Sequence, residues 1–135
     1  MINYQIENNL SHDEFKMLLI KSTLGNRRPI EDKARLTSMV ENSNLIITAR
    51  HKEQLVGVSR SITDFIYCTY LSDLAVDKAF QKKGIGKELI RLTKKETPEA
   101  KLILLSAPNA ENYYPKIGMK QFKQCYIIDQ IEEIN

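Results

Sequence analysis

Apolar and polar positions alternate at the start of the chain. Ile2, Tyr4 and Ile6 flank Asn3 and Gln5, which predicts a first strand. The spacing then turns helical. Ser11 and Glu14 match a capping box, Leu10 and Phe15 match the hydrophobic staple around it, and Phe15, Leu18, Leu19 and Ser22 share one face. Gly25 is the expected stop of this helix. Pro29 suits the first turn of a second helix, whose inner stripe is Leu36, Met39 and Val40. Leu45–Arg50 reads as a strand, His51–Gln54 as a hairpin turn without glycine, and Leu55–Ile62 as the returning strand with Gly57 at a bulge. Tyr67–Val76 is a further strand.

Beyond it, Asp77–Lys83 is polar and basic, and Gly84-Ile85-Gly86 leads into a helix with Ile85, Leu89 and Leu92 inward. Pro98 ends that helix. Lys101–Ser106 is nearly continuous in apolar residues, the pattern of a buried, parallel strand. Asn109 is placed to cap a short helix running to Ile117, with Pro115 limiting it and Gly118 in the left-handed position after it. Gln121–Asp129 reads as the last strand region. The order β-α-α-β-β-β-α-β-α-β describes a mixed α/β fold. With 135 residues and no repeat or linker, one domain over 1–135 is expected.

Composition narrows the class. Hydrophobic residues make up 42% and charged residues 27%, which argues against a disordered or fibrous chain. The longest apolar runs, Leu45–Ile47 and Leu102–Leu105, fall far short of the ~18 residues of a spanning helix. The first ten residues carry no basic segment followed by an apolar one. A soluble, cytoplasmic protein without membrane partners is the expectation. The net charge of +3 is mild, and no aromatic platform interleaves Lys82, Lys83, Lys87, Lys94 and Lys95, so nucleic acid is not the expected partner. Cys68 and Cys125 form no CxxC pair and are not spaced with His12 or His51 as metal ligands, so two half-buried thiols and no metal are expected.

The segment Gln81-Lys82-Lys83-Gly84-Ile85-Gly86-Lys87 lies between a strand and a helix. The first N–H groups of a helix have no intrahelical partner, and the helix dipole adds positive charge there. Two glycines let the backbone curl around an anion, and three lysines add attraction, so the segment is built like a phosphate cradle. It is not a Walker A loop, because Gln81 and Glu88 stand at two of the required positions. Nor is it a dinucleotide fingerprint, because Leu89 stands where the third glycine belongs.

Gln81-x-x-Gly84-x-Gly86 after Leu74-Ala75-Val76 resembles the acyl-CoA-binding motif of the GNAT superfamily of N-acetyltransferases. Asn109 followed by Tyr113-Tyr114-Pro115-Lys116-Ile117-Gly118-Met119 resembles that superfamily's final helix, with Met119 replacing the usual Phe. The element order agrees over almost the whole chain. The resemblance implies a GNAT-like fold, a mixed central sheet with two splayed parallel strands and about four flanking helices. It implies acetyl-CoA as co-substrate, an amine acceptor, no metal, and direct acetyl transfer. By that match Leu74, Ala75 and Val76 meet the pantetheine arm. The backbone of Gln81, Lys82, Lys83, Gly84, Ile85, Gly86 and Lys87 holds the pyrophosphate, and Asn109 contacts the CoA arm or serves as a plain cap. A bulge in the first of the splayed strands frees an N–H to polarise the thioester. Tyr114 occupies the place of the general acid, with packing as its alternative role. Asp73 is the first candidate for accepting the amine's proton or holding the cationic amine, with simple hydrogen bonding as its alternative. Asp64 and Glu31 follow, and His12 and His51 lie away from the cleft. The acceptor side falls to Lys21–Asp32 and Ser61–Thr69, where Asn26-Arg27-Arg28 either attracts an anionic acceptor group or is simply solvated. A non-catalytic acyl-CoA sensor is the alternative function, and a homodimer is compatible with either.

Overall fold

A computed structural model describes all 135 residues. They divide into two compact units, Met1–Leu105 and Ser106–Asn135.

The first unit is a five-stranded mixed sheet in the order β1-β2-β3-β4-β5, with β1 Asn3–Ile6, β2 Leu45–His51, β3 Gln54–Thr63, β4 Cys68–Val76 and β5 Lys101–Ile103. Neighbours are antiparallel except β4 and β5, which run parallel. Helices α1 (His12–Lys21) and α2 (Lys33–Glu41) cover one face through Phe15, Leu18, Leu19, Leu36 and Val40 against Ile46, Val58 and Ala75. Helix α3 (Ile85–Glu96) covers the other through Ile85 and Leu89 against Leu45, Ile47, Ala49 and Val56. Alternate β2 residues therefore feed alternate cores, as a two-sided strand requires.

Local chemistry accounts for the helix ends. Ser11 Oγ accepts from the Glu14 N–H at 3.2 Å, and Leu10 and Phe15 both reach the core, so the cap and staple form as expected. The stop is different. Helix α1 ends at Lys21 with Ser22 as C-cap, and the left-handed residue is Thr23 (φ 70°). Gly25 instead allows close packing, since a Cβ there would sit 3.1 Å from the Leu19 carbonyl oxygen. Helix α2 begins at Lys33, later than Pro29 suggests, because Asp32 Oδ1 accepts from the Arg35 N–H at 3.0 Å. A side-chain cap supplies a bond that proline cannot.

Two bulges shape the sheet. Ala49 pairs with Gly57 and Arg50 with Leu55, so Val56 is an extra residue on β3. The bulge lies beside Gly57 and turns Val56 and Gly57 toward α3 together: Val56 joins the α3 core, and a Cβ on Gly57 would lie 3.0 Å from Ile85 Cγ2. The second bulge is in β4. Arg60 pairs with Asp73 and Ser61 with Leu71, leaving Ser72 as the extra residue. The hairpin between β2 and β3 turns without glycine, with Lys52 (φ 48°) and Glu53 (φ 72°) both left-handed.

Strand β5 is shorter than the expected Lys101–Ser106. It is an edge strand, its only ladder is three residues on β4, and Ile103 is half exposed. The two cysteines are both exposed rather than half-buried.

In the second unit a 3₁₀ turn, Pro108–Ala110, precedes α4 (Tyr113–Lys116), and a 3₁₀ turn at Ile131–Glu133 closes the chain. Asn109 lies inside the first turn, so it does not cap α4, and the N-cap position belongs to Asn112. Gly118 (φ 99°) takes the left-handed position after α4. Its N–H reaches the Pro115 carbonyl and the Met119 N–H reaches the Tyr114 carbonyl, both at 3.1 Å, the two bonds of a Schellman end. Gln121–Asp129 forms no strand: it joins no ladder, and Phe122, Tyr126, Ile127 and Ile128 are exposed. Strand-like composition becomes a strand only where an edge pairs with it.

Candidate functional site

Strand β4 pairs with β3 along its length but with β5 only from Cys68 to Tyr70. Past Tyr70 the two parallel strands part. The β5-facing backbone edge of Leu71–Val76 therefore has no ladder partner, and Leu74, Ala75 and Val76 lie along it. An extended chain with amides of its own could lie there as a strand does.

The edge leads directly into the basic loop. Asp77 accepts from the Ala79 N–H at 2.9 Å and donates its own N–H to the Val56 carbonyl at 2.8 Å, which ties the end of β4 to the β3 bulge. The 3₁₀ turn Lys78–Phe80 follows. Gln81 Nε2 then donates back to the Val76 carbonyl at 3.0 Å, so this side chain braces the loop rather than facing solvent alone. Lys82 (φ 64°) and Gly84 (φ 82°) are both left-handed on either side of Lys83. Such alternation gathers successive N–H groups into an anion-binding concavity. No side chain caps Gly84, and the first helical bond runs from the Glu88 N–H to the Gly84 carbonyl. The N–H groups of Ile85, Gly86 and Lys87 thus lack helical partners. A Cβ at Gly84 would meet nothing within 4 Å, so the cradle is open. Gln81, Lys82, Lys83, Gly84 and Lys87 are exposed, whereas Ile85 is buried in the α3 core and contributes only its backbone.

Two side chains join this loop from outside the motif. The His51 ring lies 5.3 Å from that of Phe80, and Lys83 Nζ sits 5.2 Å from the Phe80 centroid on a cation–π contact. His51 therefore stands beside the entry to the loop, nearer than its hairpin position implies.

Asp73 differs most from expectation. It is 0% exposed, and both carboxylate oxygens are taken. Arg28 Nε donates to Oδ1 and Arg60 Nε to Oδ2, each at 2.5 Å. A buried carboxylate held by two guanidinium groups is paired and hydrogen-bonded as burial demands. It offers no surface to an incoming amine, so its expected role as base or amine anchor has no geometric support. Arg28 is correspondingly not a solvated loop residue. Its Nη2 donates to the Ser72 carbonyl at 2.8 Å and its Nη1 to the Arg27 carbonyl at 2.8 Å.

The other candidates are dispersed. Asp64 sits at the tip between β3 and β4 and accepts from the N–H groups of Ile66, Tyr67 and Cys68 at 2.8–3.0 Å. These bonds hold its carboxyl at about 2, below the usual range, and make it a turn former. His12 contacts Asp13 in the first turn of α1. Glu31 is exposed.

Asn109 and Tyr114 belong to the second unit. Within it the Tyr113 and Tyr114 rings meet edge to face, 5.3 Å apart at 73°. Burial, and secondarily the neighbouring Tyr113, push the Tyr114 phenol above its ordinary pKa. At neutral pH it is therefore a protonated hydrogen-bond donor and a weaker acid than a free tyrosine.

Arg60 and Ser72 were not legible as site residues. The available signal was Arg60 itself, a lone cation in the inward pattern of a buried strand, which calls for a carboxylate across the sheet.

The family model described as an acetyltransferase (GNAT) domain matches residues 25–133. No curated protein matches in sequence. Among solved structures, a GNAT-family acetyltransferase from Streptococcus pneumoniae superposes with a TM-score of 0.78 at 19% identity, covering 97% of this chain and 98% of its own. A ribosomal-protein-alanine N-acetyltransferase from Brucella melitensis gives 0.73 at 17% identity, covering 96% and 99%. An aminoglycoside N-acetyltransferase solved in complex with CoA gives 0.74 at 11% identity, covering 97% and 95%. At these identities the likeness is one of fold.

Proposed function

Since the chain belongs to the GNAT acetyltransferase family, we propose that it is an N-acetyltransferase, moving an acetyl group from acetyl-CoA directly to an amine on a small acceptor, with residues 1–135 serving as one catalytic domain. The observation that carries this reading is the parting of β4 and β5 after three paired residues, immediately before a loop of unpaired N–H groups at the start of α3. One end of that groove suits an anion, and the other suits an extended amide chain.

In this reading the N–H groups of Lys82–Lys87 take the pyrophosphate, the expected Gln81 N–H being engaged by the Lys78 carbonyl instead, with Lys82, Lys83 and Lys87 adding charge. The edge of Leu74–Val76, which has no ladder partner and whose Val76 carbonyl Gln81 braces, pairs with the pantetheine amides. A β4 bulge N–H polarises the thioester carbonyl, the electrostatic term that acyl transfer most needs. Tyr114 donates a hydrogen bond to the departing thiolate, and Asn109 contacts the CoA arm. With Asp73 engaged by two arginines, the amine gives its proton to water rather than to a carboxylate. A cytoplasmic location and a soluble, metal-free enzyme accord with this chemistry.

Thermal unfolding tests the reading. A ligand bound only to the folded state at ~100 times its Kd stabilises by about 2.7 kcal/mol. Acetyl-CoA and CoA should both raise the midpoint, and adenosine should do far less. No shift at millimolar acetyl-CoA would remove the reading. Release of CoA in the presence of an amine panel separates an enzyme from an acyl-CoA sensor.

A further inference from the structure

Consecutive residues of a regular strand point to opposite faces. In β4, Ser72 and Asp73 do not. Arg60 of β3 reaches both, with Nε on Asp73 Oδ2 at 2.5 Å and Nη2 on Ser72 Oγ at 3.1 Å. The bulge makes this feasible, because Ser72 is the extra residue and turns to the side of Asp73. Arg28 closes on the same two residues from the loop before α2, with Nε on Asp73 Oδ1 and Nη2 on the Ser72 carbonyl. Arg60 is itself anchored, its Nη1 donating to Ser43 Oγ at 2.9 Å and to the Met39 carbonyl at 3.2 Å.

Two forked cations thus grip a bulge of two residues by its side chains and by its backbone. Burying such a triplet is a weak source of stability, since desolvation offsets most of the attraction and apolar replacements often do as well. Its particular product is direction. A guanidinium fork fixes the orientation of what it binds, which an apolar contact does not.

We infer that Arg28, Asp73 and Arg60 form a positioning clamp, which fixes the β4 bulge so that its free backbone N–H aims at the thioester carbonyl oxygen of bound acetyl-CoA. This rests on the acetyl-CoA reading of the site. The three residues act through the Ser72–Asp73 backbone and touch neither the acetyl group nor the amine. Arg28 also links the loop between α1 and α2 to the bulge, so movement of that loop would be felt at the carbonyl.

The carbonyl itself reports the effect. Acetyl-CoA labelled with ¹³C at the thioester carbonyl is bound to the full-length protein, and its infrared stretch is compared with that in solution. In the wild type the stretch should move to lower frequency. Arg28→Gln is the decisive variant, because this side chain is 23% exposed and Asp73 keeps Arg60. It should lose most of the frequency shift at unchanged acetyl-CoA affinity by titration. Its kcat with an amine the wild type accepts should fall by about tenfold or more, as for a misaimed oxyanion donor. Arg28→Lys keeps the charge without the fork and should resemble Arg28→Gln. Arg50→Gln disrupts a comparably buried arginine network elsewhere and should lower the melting temperature with the full carbonyl shift retained. Should the Arg28 variants melt too low, Ser72→Ala removes the Arg60 Nη2 bond to the bulge while sparing both Arg28 bonds, and it should lose part of the shift, a full shift counting against the clamp. A full shift in folded Arg28→Gln overturns the clamp and leaves the acetyl-CoA reading standing. Failure of the wild type to bind acetyl-CoA overturns both.

Discussion

Gly57 sits where β3 passes beneath the first turn of α3. A Cβ built there would lie 3.0 Å from Ile85 Cγ2, 3.2 Å from Leu89 Cδ1 and 3.2 Å from Ala49 Cβ. Gly57→Ala is therefore an overpacking change at the joint between the sheet and the proposed pyrophosphate helix. Ala49 cannot yield, because its Cβ is fixed to the paired β2 backbone. Relief has to come from Ile85 and Leu89, and so from α3. Overpacking costs ~1–3 kcal/mol. Replacing glycine at a compatible backbone position returns ~0.4–1 kcal/mol by restricting the unfolded chain. The central values, ~2 and ~0.7 kcal/mol, leave a net loss of about 1.3 kcal/mol, or a fall in the melting midpoint of roughly 3–8 °C for a chain of this size. Because Ile85 opens α3, the strain should also loosen the Gly84–Lys87 N–H groups. Thermal melts with and without acetyl-CoA read both effects: a lower midpoint, and a smaller ligand-induced rise than in the wild type. An unchanged or higher midpoint would refute the reasoning, since α3 would then have room that these distances deny it.

Gly86→Glu should abolish CoA binding by titration while circular dichroism stays native, because a carboxylate at the cradle repels the pyrophosphate and fills its space; retained affinity would put the anion elsewhere. Tyr114→Phe should leave acetyl-CoA affinity intact and lower kcat by about 10²-fold or more if the phenol assists thiolate departure, and a rate within about twofold of wild type, far below that range, would return Tyr114 to packing. Arg50 donates to both oxygens of Glu7 and of Glu14, and the Arg50 guanidinium is the main cause holding the Glu7 carboxyl at about 2. Arg50→Gln should cost about 1–3 kcal/mol at pH 7. Since Glu7 is depressed in the folded state, that contribution exists above the unfolded carboxylate pKa and fades as pH falls from about 4.5 toward 2; urea melts should show a smaller gap between variant and wild type at pH 3 than at pH 7, and an equal gap would contradict this.

Much of the fold was legible because its causes are local. The Ser11 cap, the Leu10–Phe15 staple, the inward Ile85–Leu89 stripe and the left-handed Gly118 each depend on residues within a few positions of one another. So does the curl of the Gln81–Lys87 loop, so a phosphate cradle was legible in its spacing, while its assignment to acyl-CoA came from the resemblance to the family's motif. What tertiary structure decided involves partners distant in sequence. Asp73 lies 45 residues from Arg28 and 13 from Arg60, and only the β3–β4 register and the Ser72 bulge bring the three together. Alternation along β4 shows that Asp73 faces inward or outward, but not what it faces. Gln121–Asp129 has strand-like residues and no ladder, since pairing is a property of two edges and a single segment encodes one of them. The chain's own order therefore specified which segments turn, cap and coil. The energy of burying Asp73 against two cations, and with it the aim of the bulge, exists only once the sheet has closed.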